Sequence, residues 1–168
     1  QPPLRPPAWK VDLLAAWPTL SAVATDHCDY TLAQKQEYPE FTRTPGGLPG
    51  LETLFPLTYT AGVHQAQQRQ AAGEDVAPIP LPQLARLLSG DPARLFGLYP
   101  RKGAILPGSD AALLIYDPVP QVTIRAADQH TLAGYTPYEG ITVQGRVRTV
   151  LSRGEVIAAF PVRVGTPN

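Results

Sequence analysis

At Arg101 the spacing of apolar residues changes period, and that switch limits the architectures open to the chain. Upstream, apolar positions recur three and four apart, as on a helix buried along one side: Leu51, Leu54, Phe55, Thr58 and Tyr59 form one set, Leu84, Leu87 and Leu88 another. Downstream the pattern is strand-like, with alternation over residues 122–125 and 141–144 and apolar runs over 112–116, 147–151 and 155–159. A single switch, rather than regular alternation, predicts an α/β part to about Leu98 followed by an antiparallel β part. No internal repeat is visible. With 168 residues the chain has room for one ordinary domain or two small pieces.

Composition removes several classes of function. Fourteen basic and fourteen acidic residues give a net charge of zero, and no basic block is present to grip phosphates, so nucleic acid is not an expected partner. At 43% hydrophobic the chain is too apolar for a disordered tail. No run approaches the ~18 apolar residues of a membrane helix, so no membrane partner is expected either. Cys28, the single cysteine, has no internal partner, and no charged-then-apolar leader opens the chain; a reducing, cytoplasmic setting is the expectation. The absence of Met and the opening Gln1-Pro2-Pro3-Leu4-Arg5-Pro6-Pro7 suit an extended arm on a trimmed chain or on a segment of something longer.

Local signals set finer expectations. Residues 11–17 predict a short helix stopped by Pro18. Residues 20–25 are small and apolar and predict a buried strand whose end delivers Asp26-His27-Cys28-Asp29, at the edge where α/β folds place their chemistry. Residues 30–44 read as an excursion loop and 45–50 as a Gly-rich turn. Pro56 kinks the next helix or delays its start; 63–72 reads as a solvated extension and 73–80 as a connector. Pro82 opens a helix that Gly90 closes, and Asp91 and Pro92 start another that Gly97 ends. Residues 103–106 predict a short strand, Asp117-Pro118 the end of the next, and Ser152-Arg153-Gly154 a tight hairpin.

Taken alone, the chemistry-bearing residues are modest. A lone strand-end carboxylate such as Asp26 is more often a loop cap or an ion-pair partner. His27, His64 and His130 show neither His-x-His nor i, i+4 spacing and make no local metal pair. On a strand His27 points away from the face of Asp26 and reads as structural; His64 reads as a solvated helix residue. Cys28 has no indicated base and reads as a small buried thiol. Gly46 and Gly47 permit close approach of the backbone to another group. Arg94, Arg101 and Lys102 are assigned to ion pairs.

Six segments then occur in a telling order: Ala24-Thr25-Asp26-His27-Cys28; Pro45-Gly46-Gly47-Leu48-Pro49-Gly50-Leu51-Glu52-Thr53; Asp91-Pro92-Ala93-Arg94-Leu95-Phe96-Gly97-Leu98-Tyr99-Pro100-Arg101-Lys102-Gly103; Gly108-Ser109-Asp110; Tyr135-Thr136-Pro137-Tyr138-Glu139-Gly140; and Val150-Leu151-Ser152-Arg153-Gly154. Together they resemble the C-terminal portion of the cyclic amidohydrolases, on the D-hydantoinase/dihydropyrimidinase branch, with allantoinase and dihydroorotase as relatives. Tyr30 stands where dihydroorotases usually have His. Three positions depart from the favoured branch: Asp29 replaces a common Pro, Gly46 a common Asn, and Ala112 a common Asp.

The resemblance implies an α/β chain forming the last part of a metal-dependent (β/α)8 TIM barrel plus the C-terminal strands of a small β-sandwich. Residues 1–98 would belong to the barrel and 99–168 to the sandwich, since a full barrel needs about 250 residues. It implies hydrolysis of a cyclic amide or imide by hydroxide held between two divalent metals, zinc by expectation. Asp26 would be the catalytic aspartate and a metal ligand, and Gly46 and Gly47 would offer main-chain groups to the substrate. The other ligands of the family are absent here, so the chain alone is expected to bind no metal and to be inactive. The rest of the barrel or a companion chain, and a homo-oligomer, are the implied partners. The alternatives are a non-catalytic member with an assembly role and a stand-alone β-sandwich binding module. Strand edges and an apolar face left by a missing half-barrel favour the first reading.

Overall fold

The computed structural model describes Leu13 and residues 15–160. The Pro-rich opening, and the start of the helix expected over 11–17, lie outside these residues. Pro18 does not stop the helical path there. It sits inside a 3-10 turn, Trp17–Thr19, near whose start a missing N–H costs nothing.

Five short helices follow: α1 (Leu32–Lys35), α2 (Leu54–Tyr59), α3 (Gln65–Ala71), α4 (Leu81–Ala85) and α5 (Asp91–Leu95). A π turn, Thr60–His64, joins α2 to α3, and a second, Arg86–Gly90, joins α4 to α5. Pro56 lies in the first turn of α2, consistent with a delayed start. Gly90 does not close the fourth helix as expected; it holds φ −65°, ψ −45° and passes the path on. Pro92 offers no N–H to the carbonyl four residues back. The wide turn, in which the Asp91 N–H reaches the Arg86 carbonyl, absorbs that defect. Asp91 therefore caps nothing and pairs with Arg94 at 3.0 Å and Arg86 at 3.4 Å. Gly97, at φ +68°, ends the run.

Trp17, Val63, Ile79, Leu84 and Leu87 form the buried core between these helices. Gly62 makes it possible: its carbonyl accepts the Ile79 N–H at 2.8 Å, and a Cβ there would lie 3.0 Å from the Trp17 ring. Val63 and Ala66 are buried, so the segment expected to be a solvated extension is only half solvated.

The β part is one antiparallel sheet in the order β1 (Leu113–Thr123), β2 (Thr142–Ser152), β3 (Glu155–Ala159). Two expected boundaries dissolve. Pro118 and Pro120 lie on an edge strand, where no ladder N–H is required, and the register is irregular between Asp117 and Gln121. The side-chain amide of Gln144 spans that gap by donating to the Pro118 and Val119 carbonyls at 2.8 and 2.7 Å. Gly145, at φ +87°, lets β2 bulge beneath Tyr116 instead of ending. The strand expected over 103–106 is absent: Ile105 is 85% exposed, and the segment is a loop held by Asp110 N–H donating to the Arg101 carbonyl at 2.9 Å. The hairpin turn has Arg153 and Gly154 both at positive φ, the conformation of tight two-residue connections.

α2 docks on the sheet through Tyr116, whose ring meets Phe55 and Tyr59 edge-on at centroid distances of 4.7 and 5.2 Å. Burial, with Tyr59 adding to it, raises the Tyr116 phenol well above its ordinary range, so its hydroxyl stays a donor, to the Gln144 carbonyl at 2.7 Å. Gln144 N–H in turn donates to Thr60 Oγ1 at 2.8 Å.

Candidate active site

The segment 20–25 is extended but is not the buried strand its composition predicts. Ala22 and Ala24 are exposed, and the main-chain tie of this segment to the helical part is the Val23 N–H, which meets the Leu87 carbonyl at 3.1 Å. A strand is made by its neighbours, and the described residues supply a single parallel bridge, His27 to Leu48, with the Cys28 N–H on the Leu48 carbonyl at 3.1 Å.

That one bridge brings the expected site together. Asp26 precedes His27 and Gly47 precedes Leu48, so parallel pairing sets the acidic tip beside the Gly46-Gly47 turn. Asp26 is exposed, has no ion-pair partner among the described residues, and takes φ +47°, a conformation that Asp tolerates better than most side chains.

His27 is structural, though not because strand neighbours alternate. Its Nδ1 accepts the N–H groups of Gly50 at 3.1 Å and Leu51 at 3.3 Å, which fixes the entry to α2. Thr53 closes the same turn, its Oγ1 donating to the Gly50 carbonyl at 3.0 Å. Pro49 is fully buried beneath.

The two glycines differ. Gly47 holds φ +106°, and a Cβ on it would overlap the Cβ of Cys28. Its glycine is demanded by backbone and packing. Gly46 is exposed and keeps no positive φ, and a Cβ there would meet nothing within 4 Å. It borders open space. Cys28, partly buried against Gly47, serves as a packing group.

The far side of this region is tied down by groups that no local sequence pattern singles out. Glu52 accepts the His130 main-chain N–H at 2.6 Å and faces His130 Nδ1 at 2.8 Å, holding the His130 ring above its ordinary pKa chiefly through that hydrogen bond. The Ala133 carbonyl receives the Leu32 N–H at 3.2 Å. Lys35, in a stretch read as plain loop, donates from Nζ to the Pro45 carbonyl at 2.8 Å. His64 is half-buried in the first π turn. Arg94 pairs with Asp91 and Lys102 with Asp110 at 3.1 Å, as expected of them. Among the described residues no three His, Cys, Asp or Glu side chains converge to hold a metal ion. No helix among them is long and apolar enough to cross a membrane.

A model of the Amidohydrolase family matches residues 15–157, nearly the whole of the described chain. The chain belongs to that family. It is similar to the D-phenylhydantoinase of Escherichia coli O81 (strain ED1a), with 40% identity over 140 residues, covering 82% of this chain and 28% of that protein. Among solved structures, a D-hydantoinase superposes with a TM-score of 0.84 at 32% identity, over 95% of this chain and 33% of the other. The dihydropyrimidinase of Brevibacillus agri NCHU1002 gives 0.84 at 34%, over the same shares. The L-hydantoinase of Arthrobacter aurescens gives 0.79 at 28%, over 94% and 33%. This amidohydrolase chain therefore spans less than a third of the length of the curated relatives it matches. Its fold superposes on about a third of a solved D-hydantoinase chain.

Proposed function

We propose that this chain is the part of a hydantoinase/dihydropyrimidinase-like hydrolase that carries the strand-end aspartate, and that the complete protein opens a carbon–nitrogen bond of a cyclic amide or imide. The observation that supports the reading is the parallel bridge from His27 to Leu48, which makes the exposed Asp26 and the Gly46-Gly47 turn main-chain neighbours. Asp26 takes a proton from the attacking water and returns it to the departing ring nitrogen, a transfer suited to an exposed carboxylate with no ion-pair partner among the described residues. The main chain at Gly46, where the favoured branch commonly has Asn, receives the planar imide edge of the ring through backbone groups alone.

The residues present do not by themselves fit a two-metal centre. Asp26 is one oxygen donor, and Nδ1 of His27 is already occupied by two N–H groups. The chain supplies one carboxylate ligand, and the remaining ligands, for zinc or a similar divalent ion, come from the rest of the protein. In this reading residues 1–98 complete a (β/α)8 barrel and 99–168 a β-sandwich, in a cytoplasmic homo-oligomer. A ring-opening assay on hydantoin and dihydrouracil, with metal analysis by mass spectrometry, tests it. The complete protein turns over and holds metal while this chain alone does neither; a complete protein inert on both rings favours the non-catalytic assembly role.

A further inference from the structure

We propose that Lys35 is a positioning residue for substrate: its ammonium grips the Pro45 carbonyl and thereby aims the Gly46 N–H into the open space beside Asp26. The inference rests on the reading of Gly46 as substrate-facing main chain.

The geometry begins in the excursion between Asp29 and Pro45. α1 is a single turn with both halves of a capping box: Thr31 Oγ1 accepts the Gln34 N–H at 3.2 Å, and Gln34 Oε1 accepts the Thr31 N–H at 2.8 Å. The bond from Leu32 N–H to the Ala133 carbonyl ties that turn to the β part. Lys35 therefore leaves an anchored element, and its Nζ lies 5.9 Å above the Tyr30 ring on the way to Pro45.

Glu37 and Glu40 are close in sequence, yet the ammonium makes no ion pair with either and donates to a main-chain carbonyl at 2.8 Å. The Pro45-Gly46 peptide is trans. In a planar trans unit the C=O and N–H point in opposite directions, so holding the Pro45 oxygen fixes the bearing of the Gly46 N–H. That N–H has no partner among the described residues, and Gly46 is exposed with nothing where a side chain would stand. A donor whose bearing is set by a charged side chain eleven residues away, and which has no acceptor among the described residues, is ready for one such as a ring carbonyl.

The test uses the complete metal-loaded enzyme, with hydantoin and dihydrouracil as probes, and compares Lys35→Met, Lys35→Arg and Gly46→Ala. An aim shared by ground and transition states appears in KM: Lys35→Met should raise it about tenfold with kcat within about twofold, and Lys35→Arg, which keeps a charged donor, should recover most of the loss. Gly46→Ala, whose methyl enters the same space, should also raise KM. Unchanged KM in Lys35→Met beside raised KM in Gly46→Ala overturns the role of Lys35 and leaves the substrate-facing turn standing. Unchanged KM in Gly46→Ala removes the substrate-facing turn and this proposal with it. An Arg variant as impaired as the Met variant, in kcat as much as KM, also overturns the proposal. Should Lys35→Met fail to fold, Lys35→Leu, which likewise removes the donor to the Pro45 carbonyl, replaces it on the same criteria.

Discussion

Gly47 rests directly on Cys28, with no room for even a methyl group between them, while its neighbour Gly46 faces open space. The same substitution should therefore act differently at adjacent positions. Gly47→Ala forces both a φ of +106° on an L-residue and an overlap with Cys28, together about 2–4 kcal/mol of destabilisation. Gly46→Ala should change stability by less than ~0.5 kcal/mol. Denaturant unfolding of the two variants of the complete protein measures both. Equal losses would contradict this division of labour.

His27 is predicted to act on the entry to α2 rather than on chemistry. Replacing it with Phe leaves the Gly50 and Leu51 N–H groups without their acceptor, at about 1–3 kcal/mol. Hydrogen exchange should quicken at Gly50 and Leu51 before it does elsewhere in the helical part. Unchanged exchange at those two amides would remove the structural role.

The Glu52–His130 contact should loosen with rising pH. A histidine raised above its free value of about 6.5 stabilises the folded form fully below that value, and the contribution fades as pH climbs through the higher folded pKa. The hydrogen bond to Glu52 is the main cause, its charge the next. An NMR titration should place His130 above 6.5 and return it toward that value in Glu52→Gln, with faster exchange over residues 129–133 on the alkaline side.

Lys102 and Asp110 make the opposite case. The hydrogen bond from Lys102 holds the Asp110 carboxyl below its ordinary value; burial opposes it, and the charges of Lys102, Arg101 and Arg153 add to it. A depressed carboxyl stabilises above the free value of about 3.9 and loses that contribution as pH falls through the folded pKa. Lys102→Met should move the Asp110 titration upward, as a carboxyl-carbon NMR titration would record.

Signals held within a few residues were legible in the sequence. Gly97, the 152–154 hairpin, the Leu84 and Leu87 stripe and the ordered family segments each depend on local spacing. What failed depended on partners far along the chain or beyond it. Residues 20–25 carry the composition of a buried strand, but burial needs flanking strands that the described residues do not contain. The helix through Gly90 and the long strands through Pro118 and Gly145 rest on a π turn, a bridging Gln144 side chain and a bulge under Tyr116. Local propensity cannot announce any of them. At the candidate site, Asp26 and the two glycines are proposed from motif alone; Lys35 carries no such signal, because one lysine in a polar loop gives no hint of the carbonyl it will find ten residues on.

The proton transfer proposed for Asp26 is the step most open to direct measurement. Asp26→Asn keeps the size of the side chain and removes its basicity. In the complete protein, kcat/KM for hydantoin at fixed metal content should fall by about 10²–10⁴, the usual contribution of a positioned acid–base group. A variant with full metal occupancy that opens the ring within threefold of the parent rate would contradict the account.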